Sequence, residues 1–258
     1  MLILELFWWV GYAWFAAWLA LPLLVVPVVG PVAGVVVWAL LAPWSALLGM
    51  ALVHRLLPRS EPGRFRLPGD GGSTRWALAA WAPSLYLTVF QPVLFNSRSF
   101  QRIVLLAFGA RLGRDAWLTS RTIVREPHHV RVGARTLVGE YAHLVCSYQP
   151  RPGLLIVACI AIGDDALVGA YSHVAPGAVI GARCILEHGT VIGAGTRIGA
   201  DTRIGAGTTI YNGARIGSDV TIGKNCLIPT RAVIAAGTRI PDGTIITAAR
   251  TPELQRVP

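Results

Sequence analysis

The chain has 258 residues, of which 53% are hydrophobic and only 14% are charged. That balance excludes an ordinary soluble domain. The formal net charge of +10 is concentrated: residues 54–135 hold 13 Arg against the acids Glu61, Asp70, Asp115 and Glu126, whereas the only charge in residues 1–53 is Glu5.

Residues 6–30 and 31–53 are two uncharged stretches of 25 and 23 residues. Each exceeds the ~20 residues that cross a hydrocarbon core. Gly30-Pro31 between them is a turn signal. The sequence therefore predicts a transmembrane helical hairpin over residues 1–57, with Trp8, Trp9, Trp14 and Trp18 in an interfacial belt. A cleavable leader would be shorter, basic at its start and closed by a small-residue site.

A third apolar stretch, residues 76–95, contains Pro83, Gln91 and Pro92. Arginines flank it on both sides, and a span here would set them across the membrane from one another. It is read as an interfacial or re-entrant segment within a basic linker, residues 58–103, which leaves the rest of the chain facing the cytoplasm from an inner or plasma membrane. Basic residues directly after an apolar block read as a belt against anionic headgroups, with His54 at its start. No recognition motif or base-stacking aromatic cluster accompanies the charge, so nucleic acid is not expected as a partner.

From residue 156 an aliphatic recurs at every sixth position: Ile156, Ile162, Val168, Val174, Ile180, Leu186, and onward without exception to Ile246. Gly often follows it, as at Gly163, Gly181 and Gly199. An α-helix needs a 3.6-residue period and tolerates little Gly. A short strand and a turn of fixed length, repeated, require an inward aliphatic and a residue that lets the backbone turn. Leu144, Val138 and Val132 continue the register backwards; Leu106, Leu112, Leu118, Val124 and Val130 form an earlier register offset by two, with the break near His128-His129. Pro150 interrupts the pattern, so residues 147–153 are expected to bulge as a loop. His128-His129 itself reads as a turn with solvated rings. Cys146, Cys159, Cys184 and Cys226 form no CxxC pair, and Cys159 and Cys184 read as small apolar fillers.

On these residues the stretch from about 100 to 258 resembles the left-handed β-helix hexapeptide-repeat acyltransferase superfamily. The resemblance implies an all-β left-handed parallel β-helix over residues 104–258. It also implies 18-residue triangular coils, a homotrimer with sites between subunits, and thioester donors such as acetyl-CoA or another acyl-CoA. Thr247-Ala248-Ala249-Arg250 replace the usual tail of that family. Phe108 to Arg114, Glu126 and the segment after Leu144 also resemble, more distantly, the membrane-embedded C-terminal modules of poly-amino-acid synthetases. A phosphopantetheine carrier protein would then be the donor. The resemblance implies no metal, since the spaced His pair of the γ-class carbonic anhydrases is missing.

Acyl transfer needs a base for the attacking hydroxyl or amine. Leu186-Glu187-His188-Gly189 resembles the Glu-His pair of nucleotide-sugar N-acetyltransferases, which makes His188 and Glu187 candidates. His173, in Tyr171-Ser172-His173-Val174, matches a cofactor-contacting His of the same relatives and is the other candidate base. His143 holds the same repeat position 30 residues earlier; counted in eighteens, the two sit at adjacent corners, so a shared site is expected only between chains. Glu140, Ser147 and Tyr148 are candidate substrate contacts, Tyr148 and Ser147 in a segment where relatives carry a His. Lys224, Thr230 and Arg231 are candidate cofactor contacts. The expected function is a membrane-anchored, cytoplasm-facing acyltransferase that moves an acyl or aminoacyl group from a CoA or carrier-protein thioester to an amine or hydroxyl. The alternatives are an amide-bond-forming partner of a nonribosomal peptide system and a non-catalytic membrane trimer scaffold.

Overall fold

The structure, a computed structural model, describes residues 2–25, 27, 30–67, 69–94 and 97–246. The altered tail from Thr247 lies outside the described residues. Among the described residues, four α-helices of ten residues or more precede the solenoid: α1 (Leu2–Ala20), α2 (Pro31–Leu56), α3 (Gly71–Leu94) and α4 (Arg98–Ala107). Pro31 opens α2, where its missing N–H costs nothing. By length and composition, α2 is long and apolar enough to cross a membrane.

The helices α1 and α2 pack antiparallel. Trp14 Nε1 donates to the Gly49 carbonyl, Ser45 Oγ to the Trp18 carbonyl and Trp38 Nε1 to the Leu19 carbonyl. Gly49 has no alternative, because a Cβ there would strike the Trp18 ring. Helix α3 is continuous through Pro83 and is capped by Asp70, which accepts from the Ser73 N–H at 2.8 Å. It lies along the middle of α2: Tyr86 Oη donates to the Pro43 carbonyl, and Trp81, Tyr86 and Phe90 share a core with Ala46 and Met50. The third apolar segment is therefore part of a helical cluster rather than a detached piece of linker. Helix α4 is strongly amphipathic and joins this core through Phe100 and Val104. Leu106, expected in the first coil, is instead an exposed residue of α4.

From Arg111 the chain winds into a three-sided parallel solenoid. Its faces are parallel sheets of seven, seven and six short strands. The first face runs from Arg111–Leu112 to Val233–Ile234, the second from Trp117–Leu118 to Arg239–Ile240, and the third from Ile123–Val124 to Leu227–Ile228. The predicted aliphatics from Ile162 onward are buried, the exposure of Ile162, Val168, Val174 and Ile180 being at most 4%. Two residues before most of them, a small side chain fills the corner. Where that residue is Thr, its hydroxyl is satisfied by the next coil: Thr196 donates to the Tyr211 carbonyl, Thr202 to Gly217 and Thr208 to Gly223. Coil spacing leaves no room for a side chain at the Gly positions after the aliphatics. A Cβ on Gly181 would lie 2.5 Å from the backbone nitrogen of Ala200.

Two irregularities interrupt the winding. The first is the predicted register break: a 3₁₀ turn, Pro127–His129, inserts two residues, so that Leu112 pairs with Val132 rather than with residue 130. The second overturns an expectation. Residues after Cys146 form a β-hairpin, Ser147–Arg151 and Leu154–Val157, rather than a loop. Its second strand pairs antiparallel with Gly63–Arg66 of the linker. Ile156 belongs to this hairpin and not to the solenoid. The excursion removes twelve residues from the winding, so positions 143 and 173 are one coil apart.

Candidate active site on the third face

That subtraction changes the site. His143 and His173 are direct register partners in adjacent strands of the third face, with ring centroids 6.1 Å apart. The expectation that they sit at different corners and meet only between chains is wrong for this reason: the 30 residues between them include the hairpin, so they contain a single coil. His143 is exposed and His173 half-buried. Desolvation, then the neighbouring His143, pushes the His173 pKa below its ordinary value. Its ring is neutral at pH 7 and able to take a proton.

The corner leading into this face carries an aromatic platform. Tyr141 and Tyr171 stack with centroids 5.0 Å apart and a 12° tilt. Both adopt left-handed φ, 56° and 59°, as the corner requires. The Arg121 guanidinium lies over Tyr141 and bonds to its hydroxyl. Glu140 stands exposed at the same corner. One coil beyond Ala170, His188 occupies the equivalent position and is exposed.

Glu187 does not serve His188. Its carboxylate is bound by Arg203 at 2.6 Å and accepts from the Ala206 N–H, and Arg203 holds its pKa below the usual carboxylate range. Neighbouring residues at the corner diverge, which separates the sequence pair.

The hairpin candidates divide. Ser147 Oγ donates to Glu126 Oε1 at 2.5 Å, and the other oxygen accepts from the Cys146 N–H at 3.4 Å. Glu126 is buried, so Ser147 anchors the hairpin base by satisfying a buried carboxylate. Tyr148, opposite Ile156, is half-buried on the hairpin. Lys224 and Thr230-Arg231 flank the last strand of the third face from its two corners, all three exposed. Three rungs, roughly 14 Å, separate that strand from His173. The third face and its corners thus gather His143, His173, His188, Glu140, Lys224, Thr230 and Arg231.

A group that sequence reading dispersed is brought together elsewhere. His54, His128 and His129 stand in line, with ring centroids 5.2 and 4.3 Å apart. None is a solvated surface ring: His129 is 3% exposed and bonds Ser60 Oγ at 3.2 Å and Cys159 Sγ at 3.5 Å. Burial holds the His129 pKa down to about 4, and burial with the neighbouring rings holds His128 down to about 3. Cys159 is consequently not a mere filler. Among the described residues no group of three or more His, Cys, Asp or Glu could hold a metal ion.

The comparisons agree with this architecture. Residues 160–194 and 195–230 match the family model of the bacterial transferase hexapeptide (six repeats), and residues 219–248 match that of the hexapeptide repeat of succinyl-transferase. Over residues 160–248 the coil domain thus carries the hexapeptide repeats of these transferase families. Among solved structures it is similar to LpxA from Acinetobacter baumannii, at 19% identity and a TM-score of 0.47, over 53% of this chain and 56% of that one. It is also similar to AntD, an N-acyltransferase from Bacillus cereus solved with dTDP and coenzyme A, at 11% identity and a TM-score of 0.44, over 56% and 83% of the two chains. A hexapeptide-repeat acetyltransferase from Vibrio cholerae aligns at 13% identity with a TM-score of 0.34, over 63% and 86%. The chain spans just over half the length of the LpxA structure. No curated protein sequence matches it.

Proposed function

We propose that this protein is a membrane-anchored acyltransferase that moves an acyl group from a pantetheine thioester, CoA or carrier-bound, to an amine or hydroxyl. The observation that carries the reading is the His143–His173 pair on the third face of a hexapeptide-repeat solenoid. His173 takes the proton of the acceptor as it attacks the thioester carbonyl. The acceptor's amine or hydroxyl forms the new C–N or C–O bond, the C–S bond breaks, and the thiol leaves with a proton. His143, more exposed, positions the acceptor. The long donor arm lies along the third face toward Lys224, Thr230 and Arg231, where the charges of Lys224 and Arg231 and the Thr230 hydroxyl suit the donor's phosphates.

The apolar helix α2 anchors the chain in a bilayer, with the β-helix on the cytoplasmic side and an acceptor or product at the membrane. The third face leaves Val191 and Tyr211 exposed, at 36% and 45%, and a neighbouring copy in a trimer would cover it and close the groove. The test is thiol release from acetyl-CoA by the full chain in nanodiscs, with a panel of amines and hydroxylated lipid phosphates as acceptors, repeated with acyl-carrier donors. Acceptor-dependent release that His173→Ala abolishes is expected. Release unaffected by His143→Ala and His173→Ala alike, or none with any donor, overturns the reading.

A further inference from the structure

Where the helices meet the first coils, the structure encloses a cavity of about 490 Å³, within the usual size of small-molecule sites. It lies off the first face and is separate from the His143–His173 pair. Its wall is basic from two directions. The last turn of α2 and the chain after it contribute Arg55 and Arg59; the first two strands of the first face contribute Arg111 and Arg131. No carboxylate lines it, and among the described residues none of the four arginines is within ion-pair distance of an acid.

Arg111 and Arg131 are direct register partners, which puts like charges about 4.8 Å apart at the backbone. Like charges directly opposite are unfavourable, and this pair, unlike Arg197 and Arg215, lines a cavity that could hold an anion between them. Both ring nitrogens of His128 are buried and without a hydrogen-bond partner. A neutral imidazole offers one N–H there, and Ser60 beside His129 offers a hydroxyl. The C-terminus of α2 presents roughly half a negative charge, which four guanidinium groups outweigh.

We propose that this junction cavity binds a phosphoryl group, the phosphate or diphosphate of a phosphate ester. The guanidinium groups take the oxygens in bidentate fashion, and His128 supplies the inner donor. The ester's remainder lies toward the helices if it is a lipid and toward the open side of the first face if it is soluble. This inference stands on the cavity alone and does not depend on acyl transfer.

The experiment is calorimetric titration of the detergent-solubilised full chain with inorganic pyrophosphate, a short-chain isoprenyl diphosphate and a nucleoside diphosphate. Saturable binding of at least one is expected, weakened about tenfold or more in the double variant R111Q/R131Q. Arg197 and Arg215 are also register partners on the first face, away from the cavity, so R197Q/R215Q should bind as the parent does. Tighter binding of the isoprenyl ester assigns a lipid source; tighter binding of the nucleotide assigns a soluble one. Both double variants change exposed solenoid positions, and thermal melts check that they fold. Absence of saturable binding for all three probes, or equal loss in the two double variants, overturns the proposal.

Discussion

The late coils and the junction are built from one repeat, yet they differ in how much of their chemistry the repeat consumes. From Ile162 onward every inward aliphatic is stacked, corner Thr hydroxyls bond the next coil, and charges pair between coils, as Arg183 with Asp201 and Arg203 with Glu187. Between Arg111 and Val157 the winding is broken by a 3₁₀ turn and a hairpin. There the structure collects His143, a buried Glu126, and His128 with no hydrogen-bond partner. Regular stacking supplies stability. The interruptions hold the side chains that stacking does not need.

The largest expected effect tests whether the coil stacked directly on the interrupted region carries the chemistry. His173→Ala should lower acyl transfer about 10²–10⁴-fold, the usual contribution of a general base. His188→Ala, in a regular coil with Glu187 already taken by Arg203, should cost far less. Steady-state rates of both variants decide the point. Equal losses would erase the distinction between the two regions.

The next effect concerns the winding itself. Deleting the twelve residues 146–157 brings Ile162 six positions after Leu144, so the coils should restack and the solenoid should keep its β signature in circular dichroism. It loses the three-stranded sheet with Gly63–Arg66 and the bond from Ser147 to Glu126. Deleting eleven shifts the register by one and turns every following aliphatic outward, so that chain should not fold. Equal folding of the two deletions would show that the hairpin is part of the winding.

This arithmetic also marks how far the sequence could be read. The six-residue period was legible because each coil position has one steric solution, so the aliphatics at 162 to 246 appear as an unbroken column. The break at His128-His129 was legible for the same reason, as a change of register. The hairpin was not, because Ile156 and Leu144 keep the modulus of six while belonging to different elements. That coincidence placed His143 and His173 at different corners. The junction cavity was illegible for another reason. Its walls come from within residues 54–62, 106–111 and 128–131 and from Ala79 and Cys159, and only tertiary packing joins them. The density of Arg between residues 54 and 135 was the visible trace of it.

A smaller effect tests the close stacking of the regular coils. Gly181→Ala places a Cβ 2.5 Å from the Ala200 nitrogen, and backbone cannot yield as a side-chain tip can. A loss of about 1–3 kcal/mol is expected, read by chemical denaturation. Gly195→Ala meets nothing within 4 Å but adopts φ +67°, so its smaller cost is conformational only, about 1 kcal/mol. A reversed order would mean that spacing between coils relaxes.

The smallest effect separates the two regions by pH. His128 and His129 have folded pKa values of about 3 and about 4, below the ~6.5 of an unfolded histidine. Between those values the unfolded chain binds more protons than the native one, so stability is whole above about pH 6.5 and declines as the pH falls through this window. The corner carboxylates Asp165 and Asp201, held low by Arg135 and Arg183, lose their contribution only at lower pH. Melting temperature should therefore drop from about pH 7 to about pH 5 through the junction first. His173 is depressed too, but it lies half-buried on the third face, so His173→Gln should flatten the slope less than His128→Gln. If His128→Gln leaves the slope unchanged, the junction rings are hydrated and the unpartnered nitrogens of His128 carry no penalty.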